Sequence, residues 1–238
     1  MSDPTPKRPR AVMITGAAGN LGRAVAAAFA GEGRPLVLVG AHMDALESAF
    51  PEDSTDRVRV AVDLTREPVA VPALMEAVAR VGGIGALVAT AGGFRMGEKA
   101  HEIGEGALAQ MMALNVQTLL TAVKASLPGM IDQGFGRIIT IGAASAQKGA
   151  ADMGAYISAK GAVLRLTEAL AAENGRHGVT VNCILPSIID TPENRAAMPK
   201  ADVTRWVRPE QLAAVIRFLA SDEAEAVNGA LIPVTGRG

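Results

Sequence analysis

The chain has 238 residues and a formal net charge of −1, and 49% of its residues are hydrophobic. This length and apolar content suffice for one large α/β domain, whereas the near-zero charge argues against a nucleic-acid partner or a strongly anionic membrane surface. Cys183 is the only cysteine, which excludes an internal disulfide and is typical of a reducing compartment such as the cytoplasm.

The first ten residues carry three prolines together with Lys7, Arg8 and Arg10. We interpret residues 1–9 as a mobile tail, with an electrostatic contact in an assembly as the alternative. The apolar stretch that follows breaks at a Thr-Gly pair, so it is not a secretory signal, and no apolar run is long enough to cross a bilayer. Residues 10–238 are therefore expected to form one domain.

The next stretch predicts a strand, a Gly-rich turn and a helix. Residues 11–15 form a short apolar run typical of a buried parallel strand, and residues 23–30 are an Ala-rich helical stretch. Between them lie Gly16, Gly19 and Gly22, in the context that a dinucleotide-binding fingerprint requires. Missing side chains let the backbone approach a pyrophosphate, which the free N–H groups of a helix N-terminus attract. A plain tight turn is the alternative, and the position favours a phosphate site.

The second strand, at residues 36–39, ends where a cofactor's adenosine ribose is usually recognised. Gly40, Ala41 and His42 stand there, so neither an acid for the ribose hydroxyl nor an Arg for a 2′-phosphate is present. His42 is interpreted as a surface residue, with a cofactor contact as the alternative, and Asp44 is expected to cap the next helix.

Strand and helix patterns alternate through the rest of the chain. Strands are predicted at residues 58–62, 84–90, 137–141, 179–185 and 230–234, and helices at 68–80, 107–133, 155–174 and 209–221, with a loop-like region at 192–206. This alternation predicts right-handed βαβ crossovers and one doubly wound α/β domain with a parallel sheet.

Three residues in these helices are candidates for chemistry. Tyr156, the only tyrosine, and Lys160 are four positions apart and so share one helix face. A neighbouring cation favours the phenolate, so we expect the tyrosine pKa to fall from about 10 toward neutral pH, where an acid–base group works best. Asn115 lies in the middle of a predicted helix, a position that its propensity disfavours, either on a surface or to serve a site.

Taken together, three motifs resemble the short-chain dehydrogenase/reductase family over residues 11–235. They are Thr15-Gly16-x5-Gly22, Ala89-Thr90-Ala91-Gly92 and Tyr156-x3-Lys160. The resemblance implies a Rossmann-like seven-stranded sheet, NAD(P) as cofactor, no metal, and hydride transfer to or from a small carbonyl or alcohol.

The resemblance also implies roles for individual residues. Tyr156 would be the proton donor or acceptor, Lys160 would lower its pKa and bind the nicotinamide ribose, and Asn115 would hold a relay water. Asp63 and Leu64 would flank the adenine. The full set of implied cofactor contacts is Gly16, Ala18, Asn20, Leu21, Gly22, His42, Asp63, Leu64, Ala91, Gly92, Gly93, Tyr156, Lys160, Pro186, Ile189 and Thr191.

The chain departs from the family pattern at four places. Asn20 replaces the second glycine of the turn, Ala89-Thr90 replaces an Asn pair, and Ser187 replaces the glycine after Pro186. The catalytic serine, thirteen residues before the tyrosine, is replaced by Ala143. Ser145, two residues further on, is the candidate to take its place, and a turn-forming Ser is the alternative.

Quinonoid dihydropteridine reductases, a branch of the family, dispense with that serine. The chain is similar to them in the run from Ala91 to Phe94 and in several motifs between Leu185 and Trp206. A dihydropteridine reductase-like enzyme is therefore one alternative to a general carbonyl or alcohol oxidoreductase. A non-catalytic NAD(P)-binding regulator is another, which the intact Tyr156 and Lys160 disfavour.

Cofactor preference and assembly are also expectations at this point. No acid at Gly40 or Ala41 repels a 2′-phosphate, and Arg23 and His42 could approach one, so a slight lean to NADP is expected. The Ala-rich helices at 107–133 and 155–174 permit close packing, and family members pair through these helices, which implies a homodimer or homotetramer.

Overall fold

A computed structural model describes residues 11–52 and 56–237. The predicted tail at residues 1–9 lies outside the described residues. Within them, the sheet consists of seven strands: β1 Ala11–Thr15, β2 Leu36–Gly40, β3 Arg57–Ala61, β4 Ile84–Ala89, β5 Gly136–Ile141, β6 Val179–Pro186 and β7 Leu231–Val234. The α-helices in the same ranges are α1 Asn20–Ala30, α2 Met43–Ala49, α3 Glu67–Arg80, α4 Glu105–Met112, α5 Thr118–Asp132, α6 Gly154–Asn174, α7 Pro192–Ala197 and α8 Pro209–Leu219.

All neighbouring strands pair in parallel, in the order β3-β2-β1-β4-β5-β6-β7. The order reverses between β1 and β4, whose last residues, Thr15 and Ala89, are register partners. A doubly wound sheet binds ligands outside the carboxyl ends of its strands at such a switch point. The predicted Rossmann-like sheet in a single domain is confirmed.

Each face of the sheet is covered by helices. On one face Leu74 of α3, Leu119 of α5 and Val163 of α6 belong to one buried cluster. On the other, Val25 of α1 and Ile216 of α8 belong to a second. Aliphatic side chains and alanines dominate both clusters, as expected from a chain with only 3% aromatic residues. These two layers fix the strand ends from which the candidate site is built.

Two helix predictions need correction. The first helix begins at Asn20 and not at Arg23, because Gly19 is its N-cap. His42 is the N-cap residue of α2, and Asp44 lies inside its first turn, so the predicted Asp44 cap is wrong. There the carboxylate still faces the positive helix end favourably.

The predicted helix at 107–133 is divided by a π-helical segment, Ala113–Gln117. In the described part of the chain, the continuous run Glu105–Asp132 is the one helix with the length and composition to span a membrane, and half of it is buried inside the fold. Such burial is also found in core helices of globular domains. The π-segment brings Asn115 to the carboxyl edge of the sheet.

Candidate active site

The Gly-rich turn between β1 and α1 depends on glycine at two positions. Gly16 has φ +63°, and a Cβ there would lie 2.9 Å from the backbone nitrogen of Ala91. A Cβ on Gly22 would lie 2.4 Å from the carbonyl oxygen of Gly16. No side chain of the described residues caps the α1 N-terminus. Its leading N–H groups are therefore suited to an anion, as the fingerprint predicts.

The turn is joined to the loop after β4. The hydroxyl of Thr90 donates to the carbonyl of Thr15, and the nitrogen of Ala91 donates to the Thr15 hydroxyl over 3.2 Å. Two predicted cofactor segments therefore form one surface across the switch point. The half-buried Ala18 lies in this turn, and the half-buried Leu21 lies in the first turn of α1.

The ends of β2 and β3 carry the residues predicted near the adenine. His42 is exposed, and Leu64 is buried. Asp63 is exposed, and its carboxylate accepts from the nitrogen and the hydroxyl of Thr65 at 2.9 and 2.7 Å. These hydrogen bonds lower the pKa of Asp63. The carboxylate thus shapes the turn that presents Leu64.

Asn115 is buried and fixes the loop after β4. Its Oδ1 accepts from the nitrogen of Gly93 over 3.2 Å, and its Nδ2 donates to the carbonyls of Gly93 and Met111 at 3.1 and 3.0 Å. π-helical turns inside α-helices occur often at functional sites. Here the π-turn accommodates Asn115, a residue type that is unfavourable in the interior of a regular α-helix. Because Asn115 is buried, the interpretation that it lies on the surface is wrong.

Gly92 lies beside two of the predicted catalytic residues, Asn115 and Lys160. A Cβ on Gly92 would lie 2.8 Å from Asn115 Oδ1 and 3.4 Å from Lys160 Nζ. Glycine at this position therefore leaves open the space beside both polar groups. Three segments that are distant in sequence converge here: the end of β4, the π-segment and α6.

Lys160 is 7% exposed and its ammonium group donates to the carbonyl of Ile141 over 2.8 Å. Burial lowers its pKa to about 8, while the nearby Cys183 thiol acts in the opposite direction. The proximity of Cys183 to Lys160 was not predicted, because β6 and α6 meet only in the folded sheet.

Tyr156 is half-buried at the start of α6, and burial raises its pKa to about 12. The predicted fall in the tyrosine pKa is therefore wrong in this structure. Desolvation of the phenolate is the cause of the raised pKa, and the Lys160 ammonium donates its hydrogen bond to the carbonyl of Ile141. At neutral pH the phenol thus retains its proton and can donate it.

The position of the missing serine is a buried alanine. Ala143 is 6% exposed and precedes a 3₁₀ turn, Ala144–Gln147, that contains Ser145. Ser145 is half-buried, and its hydroxyl makes no hydrogen bond with any of the described residues. Ser145 thus lies in a turn, as the alternative interpretation predicts, and a role of its hydroxyl toward a ligand stays a prediction.

The segment after β6 carries the last predicted contacts. Pro186 ends β6 and is buried, and the carbonyl of Ile189 accepts from Asn194 Nδ2 over 2.8 Å. The Thr191 hydroxyl caps α7 by accepting from the nitrogen of Asn194 over 3.2 Å. Ile189 and Thr191 therefore shape the entry into α7.

One connection across the site was missed by sequence reasoning. Asn20 Nδ2 donates to Glu193 Oε2 over 2.8 Å, and Arg23 donates to Asn20 Oδ1 over 3.3 Å. Asn20 and Arg23 border a cavity of about 530 Å³ between α1, α7 and α8, which Arg195 and Arg208 also line. Arg23 thus faces α7 and α8, which removes one of the two supports for an NADP preference. The unusual Asn20 was the only signal in the sequence.

Comparison with known proteins shows the family of the chain. The model of the short chain dehydrogenase family matches residues 10–202. The 2-(S)-hydroxypropyl-CoM dehydrogenase 3 of Xanthobacter autotrophicus is 31% identical over 94% of both chains, and the meso-2,3-butanediol dehydrogenase of Serratia marcescens is 32% identical over 95% of this chain and 93% of its own. A gluconate 5-dehydrogenase from Burkholderia cenocepacia, solved with NADP and tartrate, superposes with a TM-score of 0.87 at 26% identity, covering 96% of this chain and 94% of its own.

Proposed function

Because this chain belongs to the short-chain dehydrogenase/reductase family and is an NAD(P)-dependent oxidoreductase, we propose that Tyr156 is its general acid and base. The observation that carries the proposal is the convergence of Lys160 and Asn115 beside Gly92, next to the start of α6. When bound, the nicotinamide cofactor accepts or supplies the hydride. The protein's own task is to hold the substrate oxygen and to move one proton.

The residues fit a dinucleotide. The side-chain-free positions Gly16 and Gly92 leave the backbone accessible, and the uncapped N-terminus of α1 offers N–H groups to a diphosphate. We propose that Leu64 and Asp63 border the adenine, that Lys160 binds the nicotinamide ribose, and that the segment from Pro186 to Thr191 closes over the nicotinamide end. Both NAD and NADP are expected to bind. A slight lean to NADP now rests on His42 and on the lack of an acid at Gly40 or Ala41.

The pKa values favour reduction at neutral pH. A phenol with a pKa of about 12 is protonated there, so Tyr156 can protonate a carbonyl oxygen as hydride arrives at the carbon. Lys160, with a pKa of about 8, is then largely cationic and stabilises the negative charge that develops nearby. Oxidation of an alcohol needs the phenolate, so we expect it to accelerate as the pH rises.

A cofactor-oxidation screen tests the function. Purified protein is mixed with NADH or NADPH and a panel of ketones, diketones and quinonoid dihydropterin, with 2,3-butanedione included because one relative is a butanediol dehydrogenase. We expect turnover of at least one carbonyl that Tyr156→Phe abolishes. Cofactor binding without turnover of any carbonyl or alcohol would instead support the regulator.

We further propose that the protein acts as a homodimer or homotetramer in the cytoplasm. Leu108, on the outer side of α4, is 42% exposed and suits the helix pairing that its family uses. Multi-angle light scattering at micromolar concentration should give two or four times the chain mass of 24.4 kDa. Leu108→Glu should shift the protein toward smaller species, whereas a monomeric wild type would contradict the proposal.

A further inference from the structure

Phe94 has an unusual position for a large apolar side chain. It is 59% exposed, yet its ring contacts that of Tyr156, with the centroids 4.9 Å apart and the planes at 79°. Edge-to-face pairs of this kind are attractive, but they do not require an exposed ring. An exposed phenylalanine beside the only tyrosine offers an apolar surface where the proton is transferred.

The loop that carries Phe94 is fixed at both ends. Before it, Gly93 is held by the two-way hydrogen bonds with Asn115 at 3.2 and 3.1 Å. After it, Glu98 forms a β-bridge with Met153, and the nitrogen of Gly97 donates to the carbonyl of Asp152 over 2.7 Å. Because Met153 directly precedes α6, the loop and the start of the Tyr156 helix form one unit. The ring is therefore held in place relative to the phenol.

The charged side chains of this loop form ion pairs. Arg95 forms an ion pair with Glu98, and Lys99 Nζ lies 2.8 Å from the carboxylate of Asp152. Met96, on the same loop, is 57% exposed. The surface beside Tyr156 thus combines two exposed apolar side chains with charges that balance one another, which suits an uncharged ring better than an anionic chain.

Ala143 explains why a ring contact near Tyr156 would be needed. An alanine cannot donate the hydrogen bond that orients a substrate carbonyl, so another contact must hold the carbonyl at Tyr156. We propose that Phe94 is a substrate-contacting, specificity-determining residue, which selects carbonyl compounds that carry an aromatic or flat conjugated ring. This inference rests on the proposed function and names the substrate class of the same site.

A matched pair of diketones tests the inference. 1-Phenyl-1,2-propanedione and 2,3-butanedione share the reacting group and differ in the ring. We expect wild type to favour the phenyl compound in kcat/KM at least tenfold. Phe94→Ala should lower kcat/KM for the phenyl compound about tenfold, equivalent to about 1.4 kcal/mol, and for 2,3-butanedione less than twofold.

Two further variants separate a ring contact from a structural role. Phe94→Tyr keeps the ring and should retain the phenyl preference, whereas Phe94→Leu keeps apolar volume and should lose most of it. Phe218→Ala is the control, because Phe218 lies on α8 and is 48% exposed. Equal losses for both diketones, or no change in either, would overturn the inference.

The result can be distinguished from a failure of the proposed function. Tyr156-dependent turnover confined to ring-free carbonyls would refute the inference and leave the function intact. If no carbonyl is reduced, the proposed function fails, and ring binding is measured directly by saturation-transfer NMR with 1-phenyl-1,2-propanedione. Phenyl signals that persist unchanged in Phe94→Ala would then overturn the inference as well.

Discussion

Asn20 and Glu193 lie 173 positions apart and meet in a hydrogen bond of 2.8 Å from Nδ2 to Oε2. The bond connects the Gly-rich turn to α7, a helix with no buried residue. Hydrogen bonds with its own backbone and with the Thr191 side chain lower the pKa of Glu193 most, and the hydrogen bond from Asn20 and the charge of Arg23 lower it further. A glycine at position 20, the usual family residue, could not make this contact.

We expect this bond to restrain the segment after β6. In Asn20→Gly and Glu193→Ala, hydrogen–deuterium exchange of a peptide covering residues 188–206 should accelerate severalfold, since this bond links α7 to the Gly-rich turn. Glu193→Gln should stay near wild type, because its amide oxygen still accepts from Asn20. Arg165→Ala, which removes an unrelated ion pair with Glu168, is the control. Equal exchange in all variants would show that the bond does not restrain α7.

Removing the Tyr156 hydroxyl should remove the proton donor and leave the cofactor site. General acid–base groups contribute roughly 100- to 10,000-fold, so Tyr156→Phe should lower kcat by that range on the best carbonyl found. The dissociation constant of NADH or NADPH, measured by titration calorimetry, should change less than threefold. A variant with more than half of the wild-type kcat would refute the assigned role.

Burial of the Lys160 ammonium should cost stability below its pKa. Its pKa is about 8 in the folded protein, compared with the ordinary lysine value of 10.5 in the unfolded chain. Between these two pH values the folded state therefore binds fewer protons than the unfolded state. The free energy of unfolding should therefore rise with pH across this interval. At pH 7 the cost is at most roughly 3 kcal/mol, offset by about 1 kcal/mol from the hydrogen bond to Ile141.

Lys160→Met tests this cost. At pH 7 we expect the variant to be inactive and to exceed wild type by about 1 to 2 kcal/mol in unfolding free energy, a few degrees in Tm. The difference should shrink as the pH rises toward 10, because wild-type Lys160 is then neutral when folded. Thermal melts of both proteins from pH 7 to 10 measure it. A variant that is less stable at pH 7, with no pH dependence of the difference, would contradict the prediction.

Gly92→Ala should damage the site by sterics. The new Cβ would lie 2.8 Å from Asn115 Oδ1 and 3.4 Å from Lys160 Nζ. Since the first contact is too short, Asn115 must shift, and we expect kcat/KM to fall at least tenfold with weaker cofactor binding. Gly106→Ala is the matched control, because a Cβ there meets nothing within 4 Å and lies inside α4. Equal activity of the two variants would exclude a crowded site at Gly92.

Ser145→Ala decides whether this hydroxyl replaces the one missing at Ala143. If it orients the carbonyl, kcat should fall about tenfold or more, which is roughly 1.4 kcal/mol of transition-state stabilisation. An unchanged rate, together with turnover of quinonoid dihydropterin, would favour the dihydropteridine reductase-like alternative. Ser158→Ala, an exposed serine on α6, serves as the control.

The architecture could be predicted from the sequence, which also supplied the candidate catalytic residues as a prediction. Alternating apolar and amphipathic runs specify a parallel sheet, because each pattern reports the local geometry of its own segment. The turn from Gly16 to Gly22 and the spacing of Tyr156 and Lys160 are local for the same reason. For the mid-helix Asn115 a disturbed helix was one of two interpretations, and a π-segment is found there.

Properties that arise from contacts between distant segments became visible in the folded structure alone. The pKa of Tyr156 rises because the folded chain withdraws the phenol from water. The extent of that burial cannot be predicted from the spacing of residues along one helix. The contacts of Asn20 with Glu193 and of Phe94 with Tyr156 join segments that the sheet order brings together. Desolvation and long-range contact are properties of the packed chain, whereas helix and strand periodicity are properties of neighbouring residues.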